Sequence, residues 1–336
     1  MKRKIRVAIN GFGRIGRLVL RAAIESKRDD IEFVAVNDLM PADQSAFLLA
    51  RDSVHGALGV EAKESGGHII VGRHKIKVLS EKDPTKLPWK KMDIDIVMEC
   101  TGLFASAEKA RVHLDAGAKR VLVSAPSDGA DATIVYGVND NVLKKSHRII
   151  SNGSCTTNCL APIAKVVDDA FGIVKGWMTT VHSYTGDQQL LDKNHNDFRR
   201  ARAAALSIIP SSTGAAKAIG LVLPKLNGKL NGTAIRVPTP DVSITELVVE
   251  VKKKADAAAI DKAMKTASAG KLKGILGYSD LPLVSADFIH DGHSAVYDAT
   301  MTKVVGENLI HIAAWYDNEW GFSNRMLDVA AKIGKL

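Results

Sequence analysis

Cysteine is scarce in this sequence: Cys100, Cys155 and Cys159 are the only three among 336 residues. An odd, sparse set with two members four apart builds no disulfide framework and points to a reducing compartment. Long apolar runs are missing as well. No stretch approaches the ~18 apolar residues that a membrane-spanning helix needs. The start, Met1 to Val7, is basic but has neither an apolar h-region nor a small-residue cleavage site, so no signal peptide is read there. These absences make the cytoplasm the expected location. Aromatic residues are only 5% of the chain. None interleaves with the short basic groups Lys90-Lys91, Lys144-Lys145, Arg199-Arg200 and Lys252-Lys253-Lys254, as single-strand nucleic-acid binders require. The formal charge of +9 therefore reads as solvated lysine with a bias toward anionic metabolites, and nucleic acid is not expected as the primary partner. Internal repeats, low-complexity tracts and Gly/Ser linkers are also absent. What remains is a globular composition, 46% hydrophobic and 25% charged, long enough for two domains.

The first part of the chain alternates short apolar strands with helical spacing. Strand patterns at Ile5–Asn10, Ile31–Asn37, Ile94–Glu99 and Val121–Ser124 enclose helical patterns at Arg14–Ile24 and Ser106–Ala116. That alternation predicts a parallel sheet with right-handed crossovers. His68–Val78 reads as an appended hairpin with Gly72 near its turn. After about Ile150 the texture changes to a helix near Ser154 and longer strands at Val174–Ser183, Thr233–Val237, Ile244–Lys252 and Asn308–Trp315. Tyr184–Pro210 reads as a long polar loop, of a length usually functional or interfacial. Asn318–Lys335 is an amphipathic helix candidate. The expected fold is α/β: a Rossmann-type doubly wound parallel sheet plus an α+β catalytic domain with a mainly antiparallel sheet. The expected division is 1–150 with 318–336 for the nucleotide-binding domain and 151–317 for the catalytic one.

Gly11-Phe12-Gly13-Arg14-Ile15-Gly16 is a G-x-G-x-x-G that follows a strand and opens a helix. Gly11 permits a tight turn, Gly13 a close backbone approach to a pyrophosphate, and Gly16 close helix–strand packing. The helix N-terminus then faces the phosphate charge. Asp38 ends the next strand, where a carboxylate can accept from a ribose 2′-hydroxyl and repel a 2′-phosphate. NAD is the cofactor that this pattern favours. Ser154-Cys155-Thr156-Thr157-Asn158-Cys159 stands at a strand-to-helix transition. A cysteine at a helix N-terminus has its thiolate favoured by the dipole, which predicts a lowered thiol pKa. Cys159, one turn on, reads as a packing residue. Among ten histidines, His182 ends a strand, a rigid place to hold an imidazole. His290-x-x-His293 has no third ligand placed by spacing, so no metal is expected.

The segments INGFGRIGR (9–17), SCTTNCLAP (154–162), HSYT (182–185), RRARAAA (199–205), STGAAKA (212–218), RVPTP (236–240) and YDNEWGFSNRM (316–326) occur in this order across nearly the whole chain. Together they resemble phosphorylating glyceraldehyde-3-phosphate dehydrogenases. The resemblance implies oxidation of D-glyceraldehyde 3-phosphate with NAD and inorganic phosphate to 1,3-bisphosphoglycerate, through a thioester on Cys155 with His182 as base. It implies Thr185 and Arg236 for the substrate phosphate, and Arg200, Thr213 and Gly214 for the other phosphate, with Ser154 and Thr156 beside the thiol. For the cofactor it implies Arg14, Ile15, Asp38, Lys82, Ser124 and Asn318 in addition to the glycines, the last reaching the nicotinamide amide. A homotetramer is implied, with the 184–210 loop packing across subunits. Gly153, Gly186 and Lys193-Asn194 depart from the commonest family pattern, which leaves room for some NADP use. Erythrose-4-phosphate dehydrogenase shares the cysteine and histidine segments, but the intact Ser212-Thr213-Gly214 run points away from it. A basic RNA- or surface-binding protein on the same fold is a third reading, opposed by the presence of Cys155, His182 and Arg236.

Overall fold

A computed structural model describes residues 3–336; Met1 and Lys2 of the basic start lie outside the described residues. The chain forms two units. Of the described residues, one contains 3–136, 140–154 and 323–336; the other contains 137–139 and 155–322.

The first unit is built on a nine-stranded sheet. Its order is Ala132–Thr133, Ile149–Ser151, Arg120–Val123, Ile96–Glu99, Ile5–Asn10, Ile31–Asn37, His74–Leu79, His68–Val71 and Ala62–Glu64. The first seven run parallel; the hairpin expected over His68–Val78 is formed by the seventh, His74–Leu79, with His68–Val71, and Ala62–Glu64 adds antiparallel beyond it. Central strands of a parallel sheet are covered on both faces and so are apolar without alternation. Accordingly, Val7, Ala8 and Ile9 are all fully buried. The helix predicted over Ser106–Ala116 is found at Ala107–Asp115, with the Ser106 hydroxyl accepting from the Lys109 amide as its N-cap. Ile5–Asn10 lies between Ile96–Glu99 and Ile31–Asn37, so the loops after these three strands gather at the switch point where such sheets bind ligands.

The second unit carries a seven-stranded sheet ordered Ile209–Ser211, Leu230–Val237, Ile173–Ser183, Ser243–Val251, Leu309–Tyr316, Ala295–Val305 and Leu276–Ser279. It is mainly antiparallel, with parallel pairing between Ile173–Ser183 and Leu230–Val237 and between Leu276–Ser279 and Ala295–Val305. Ser243–Val251 alternates buried and open positions, the signature of a sheet with one covered face. The helices Cys155–Phe171 and Ala257–Ala269 pack on this sheet. Ala295–Val305 has no counterpart among the sequence-based strands. Its register shifts between Asp298 and Lys303, and this irregularity interrupts the two-residue alternation that would have revealed it.

Candidate active site

In the first unit the three motif glycines meet three different environments. Gly11 has φ +90°, and a Cβ there would lie 2.6 Å from the Thr101 amide nitrogen. At Gly16 a Cβ would lie 2.1 Å from the Gly11 carbonyl oxygen. Around Gly13 there is nothing within 4 Å of the Cβ position. Two glycines are thus demanded by packing, and the third leaves open space at a helix start that no side chain caps. That is the cradle a pyrophosphate needs. Asp38 closes the turn from the side: the Phe12 amide donates to its Oδ2 at 2.6 Å and the Met40 amide to its Oδ1 at 3.0 Å. Lys82 follows Glu81, whose backbone exchanges two hydrogen bonds with the Asn37 side chain, at 2.8 and 3.0 Å. This ties the Lys82 loop to the residue before Asp38. Arg14 pairs with the carboxylate of Asp52. Ile15 is half-buried in the first helical turn, and Ser124 follows the strand Arg120–Val123, its amide donating to the Glu99 carbonyl at 3.0 Å. The residues present fit a dinucleotide.

In the second unit, Cys155 begins the helix Cys155–Phe171, directly after Ser154, and His182 sits at the end of the strand Ile173–Ser183. His182 Nε2 lies 3.5 Å from the Cys155 Sγ. Its Nδ1 is 2.7 Å from the Ser183 carbonyl oxygen, which can only accept, so Nδ1 carries the proton and Nε2 offers its lone pair to the thiol. Tyr316 braces the pair. Its ring meets the imidazole edge-on at 5.9 Å, and its hydroxyl bonds Thr156 Oγ1 at 2.9 Å and Thr180 Oγ1 at 2.8 Å. The expected low thiol pKa is not what this surrounding produces. Burial pushes the Cys155 thiol up, outweighing the Thr156 hydrogen bond and the Arg236 charge. Burial, aided by Arg236, lowers His182 to about 4. At neutral pH the protein alone therefore holds a thiol beside a neutral imidazole. Buried Cys159 shows the same effect more strongly and has the packing role expected of it.

The anion-binding candidates converge beside this pair. Arg236 lies directly across the parallel ladder from His182. Its Nη1 donates to Thr185 Oγ1 at 2.5 Å and to Gln188 Oε1 at 3.2 Å. Arg200 donates from Nε to Ser211 Oγ at 2.7 Å and from Nη2 to the Ser212 carbonyl at 3.3 Å, which brings it to the Thr213-Gly214 turn. Gly214 begins the helix Ala215–Val222 with no side-chain cap and open space at its Cβ position. Asp187 joins the two arginines. Its carboxylate takes a hydrogen bond from Arg200 Nη1 at 2.9 Å, approaches Arg236 Nη1 at 3.7 Å and accepts from the Thr185 hydroxyl. Among the described residues, buried Arg236 Nε and Gln188 Nε2 have no hydrogen-bond partner. Two orphaned donors in one cluster suit an incoming oxyanion.

The comparisons with known proteins agree with this geometry. A family model described as glyceraldehyde 3-phosphate dehydrogenase, NAD binding domain, matches residues 5–107, and its C-terminal domain counterpart matches 154–318. The chain is 58% identical over 332 residues to the glyceraldehyde-3-phosphate dehydrogenase of Xanthobacter flavus, covering 99% of each chain. It is 57% identical over 332 residues to that of Cereibacter sphaeroides, again covering 99% of each, and 54% identical over 332 residues to glyceraldehyde-3-phosphate dehydrogenase 1 of Bacillus subtilis, covering 98% of each. The chain belongs to the glyceraldehyde-3-phosphate dehydrogenase family.

Membership in the glyceraldehyde-3-phosphate dehydrogenase family makes it an NAD-dependent oxidoreductase acting on an aldehyde. The expected cofactor residue Asn318 is held by two serines that motif reading missed. Asn318 Oδ1 accepts from the hydroxyls of Ser183 at 2.8 Å and Ser243 at 2.9 Å. Ser243 Oγ in turn accepts from the Ser183 amide at 3.1 Å, so its proton is committed to Asn318. The carboxamide is locked with its NH2 turned away from these serines. In the first unit, buried Glu99 accepts from Asn10 Nδ2 at 2.7 Å and from the Thr101 amide at 2.8 Å. Trp89 Nε1 donates to His113 Nδ1 at 3.2 Å, which leaves the His113 Nε2 proton for Glu99 at 2.8 Å. This network underlies the Thr101 turn against which Gly11 packs. Asp187, Gln188 and Glu99 carry no motif; the only sequence signal was a polar residue inside an otherwise apolar strand end, as at Glu99.

Proposed function

We propose that the protein is a phosphorylating glyceraldehyde-3-phosphate dehydrogenase, oxidising D-glyceraldehyde 3-phosphate with NAD and inorganic phosphate to 1,3-bisphosphoglycerate. The observation that carries this reading is the Cys155–His182 pair at 3.5 Å with two guanidinium groups beside it. Cys155 Sγ adds to the aldehyde carbon as its proton passes by way of His182 Nε2 to the former carbonyl oxygen, giving a hemithioacetal and leaving Nε2 free again. His182 then takes the hemithioacetal hydroxyl proton as a thioester forms. NAD, when bound, supplies the acceptor for the departing hydride. Inorganic phosphate attacks the thioester carbon, the C–S bond breaks to release the acyl phosphate, and the proton held on His182 Nε2 returns to Sγ, restoring the Cys155 thiol. Thr185 and Arg236 hold the substrate phosphate; Arg200, Thr213 and Gly214, with Ser154 and Thr156 close to the thiol, serve the attacking phosphate. A planar guanidinium fork suits both.

The cofactor is held by Gly11, Gly13, Arg14, Ile15, Gly16, Asp38, Lys82 and Ser124, with the Asn318 amide for the nicotinamide carboxamide. Asp38 favours NAD, while Lys193 permits some NADP use. The functional domains are 1–150 with 318–336, and 151–317. The protein works as a homotetramer in the cytoplasm. Leu190, Leu191, Phe198, Leu206 and Ile208 are 70–86% exposed within the 184–210 loop, an apolar content that supports burial against other copies of the chain. Among the described residues no helix is long and apolar enough to cross a membrane.

The deciding assay is NADH formation from glyceraldehyde 3-phosphate with and without phosphate. Turnover that depends on added phosphate is expected. Equal or faster turnover of erythrose 4-phosphate, or salt-sensitive RNA binding without turnover, rejects the reading. A stable, active monomer in sedimentation rejects the tetramer.

A further inference from the structure

A cavity in the second unit lies away from the thiol. It has a volume of about 740 Å3 and runs between the helices Cys155–Phe171 and Ala257–Ala269. The amide of Lys253 donates to the Phe171 carbonyl at 3.0 Å, so the end of the first helix is pinned beside the start of the second. The second helix turns Ile260 and Met264 inward, both fully buried, and leaves small residues such as Ala263 and Ala267 facing the groove. Val166, Ala170, Phe171 and Leu272 complete an almost entirely apolar trench. Its volume falls in the ~300–1,000 Å3 range typical of sites for single small molecules.

The charged residues on the groove are unbalanced. Lys165 is tied to Asp169 at 2.8 Å. Lys262 and Lys271, which also line the groove, have no acidic partner among the described residues. An apolar trench with two uncompensated ammonium groups complements one kind of ligand, a hydrocarbon chain that ends in a negative charge. We propose that this groove binds a long-chain monocarboxylate, with the tail in the trench and the carboxylate drawn to Lys262 and Lys271. The groove shares no residue with the thiol site or the glycine loop, so occupancy and dehydrogenase turnover are separable.

The test uses the full chain and straight-chain fatty acids of eight to fourteen carbons below their micellar concentrations, followed by calorimetry. Saturable binding near one per chain is expected, tightening by up to about fourfold per added methylene. Ala263→Trp, which fills the trench, should weaken tetradecanoate binding at least tenfold. Lys262→Glu with Lys271→Glu should weaken it severalfold while leaving turnover unchanged, and dodecyltrimethylammonium should bind far more weakly than dodecanoate. Absence of saturable binding overturns the proposal, as does binding that ignores the trench-filling variant or the sign of the head group. A change of oligomeric state in Ala263→Trp would assign the groove to contact between copies of this chain and would likewise overturn it.

Discussion

On the proposed reading, the two units prepare for phosphate in opposite ways. At the glycine loop the receptive elements are backbone, an uncapped helix start and open space over Gly13, while Arg14 is already paired with Asp52 and Arg17 donates to the Phe12 carbonyl at 2.9 Å. In the second unit the receptive elements are two guanidinium groups, and a carboxylate already stands between them. Peptide dipoles repel one another little and can wait open. Two arginines side by side cannot, because their mutual repulsion needs an anion nearby. Burial alone would pull Asp187 up, yet the Thr185 hydroxyl, Arg236 and Arg200 outweigh it and hold its carboxyl below the usual range. A backbone site is assembled by folding; a side-chain site of this density also has to carry its own counter-charge until the ligand arrives.

The comparison can be broken most forcefully at the reacting pair. Cys155→Ser should abolish dehydrogenase activity, since a serine hydroxyl beside an imidazole of pKa about 4 stays protonated; measurable turnover in that variant would remove Cys155 from the chemistry. His182→Asn should slow acylation by roughly 10²–10⁴ with substrate binding retained, as single-turnover kinetics would show. The glycine loop sharpens the contrast by separating fold from ligand. Gly16→Ala should destabilise the first unit by several kcal/mol, because its Cβ would sit 2.1 Å from a backbone oxygen. Gly13→Ala, with nothing within 4 Å, should leave thermal stability nearly unchanged and weaken NAD; equal melting temperatures for the two variants would contradict this. Asp187→Asn should tighten inorganic phosphate by roughly tenfold, about one charge-assisted hydrogen bond's worth of competition removed. Weaker phosphate binding instead would make Asp187 a brace for Arg236. The most gradual effect concerns pH. His182 binds its proton less readily when folded, so the unfolded chain gains a proton that the native one refuses as pH falls from 6.5 to about 4. Stability should therefore decline across that window by up to about 3 kcal/mol, fully retained above it. His182→Asn should flatten the decline in chemical denaturation.

Much of this was legible before any coordinates. The glycine loop declared itself because local geometry demands glycine where backbone must turn or touch, and Gly11 and Gly16 meet those demands within one turn of chain. Cys155 and His182 stood at element ends, where a strand or helix holds a side chain still. The thiol's protonation departs from expectation for an equally physical reason: a helix terminus is visible in sequence, whereas burial of the thiol depends on residues remote in the chain, such as Tyr316, and outweighs even the Arg236 charge. Asp187 looked like one more loop acid until the fold set two arginines against it. The Ser183–Ser243–Asn318 lock joins three separate strand and loop ends, and no local pattern announces it. The strand Ala295–Val305 was hidden by its own register shift.

The pairing of His182 with Arg236 has a bearing on how the site comes into being. Neighbours in a parallel ladder cannot be joined by a hairpin; the chain must leave the strand Ile173–Ser183, run through the long loop and the helix Ala215–Val222, and return as Leu230–Val237 before the two side chains meet. Loop closure of that span costs entropy before any contact rewards it, so contacts of this kind form slowly. A chain emerging from the ribosome carries Cys155, the proposed nucleophile, well before it has the strand that places Arg236 beside His182. During refolding, helix content should return ahead of the ability to oxidise aldehyde, and a nascent chain halted before residue 230 would hold the nucleophile with half of its surroundings still unmade.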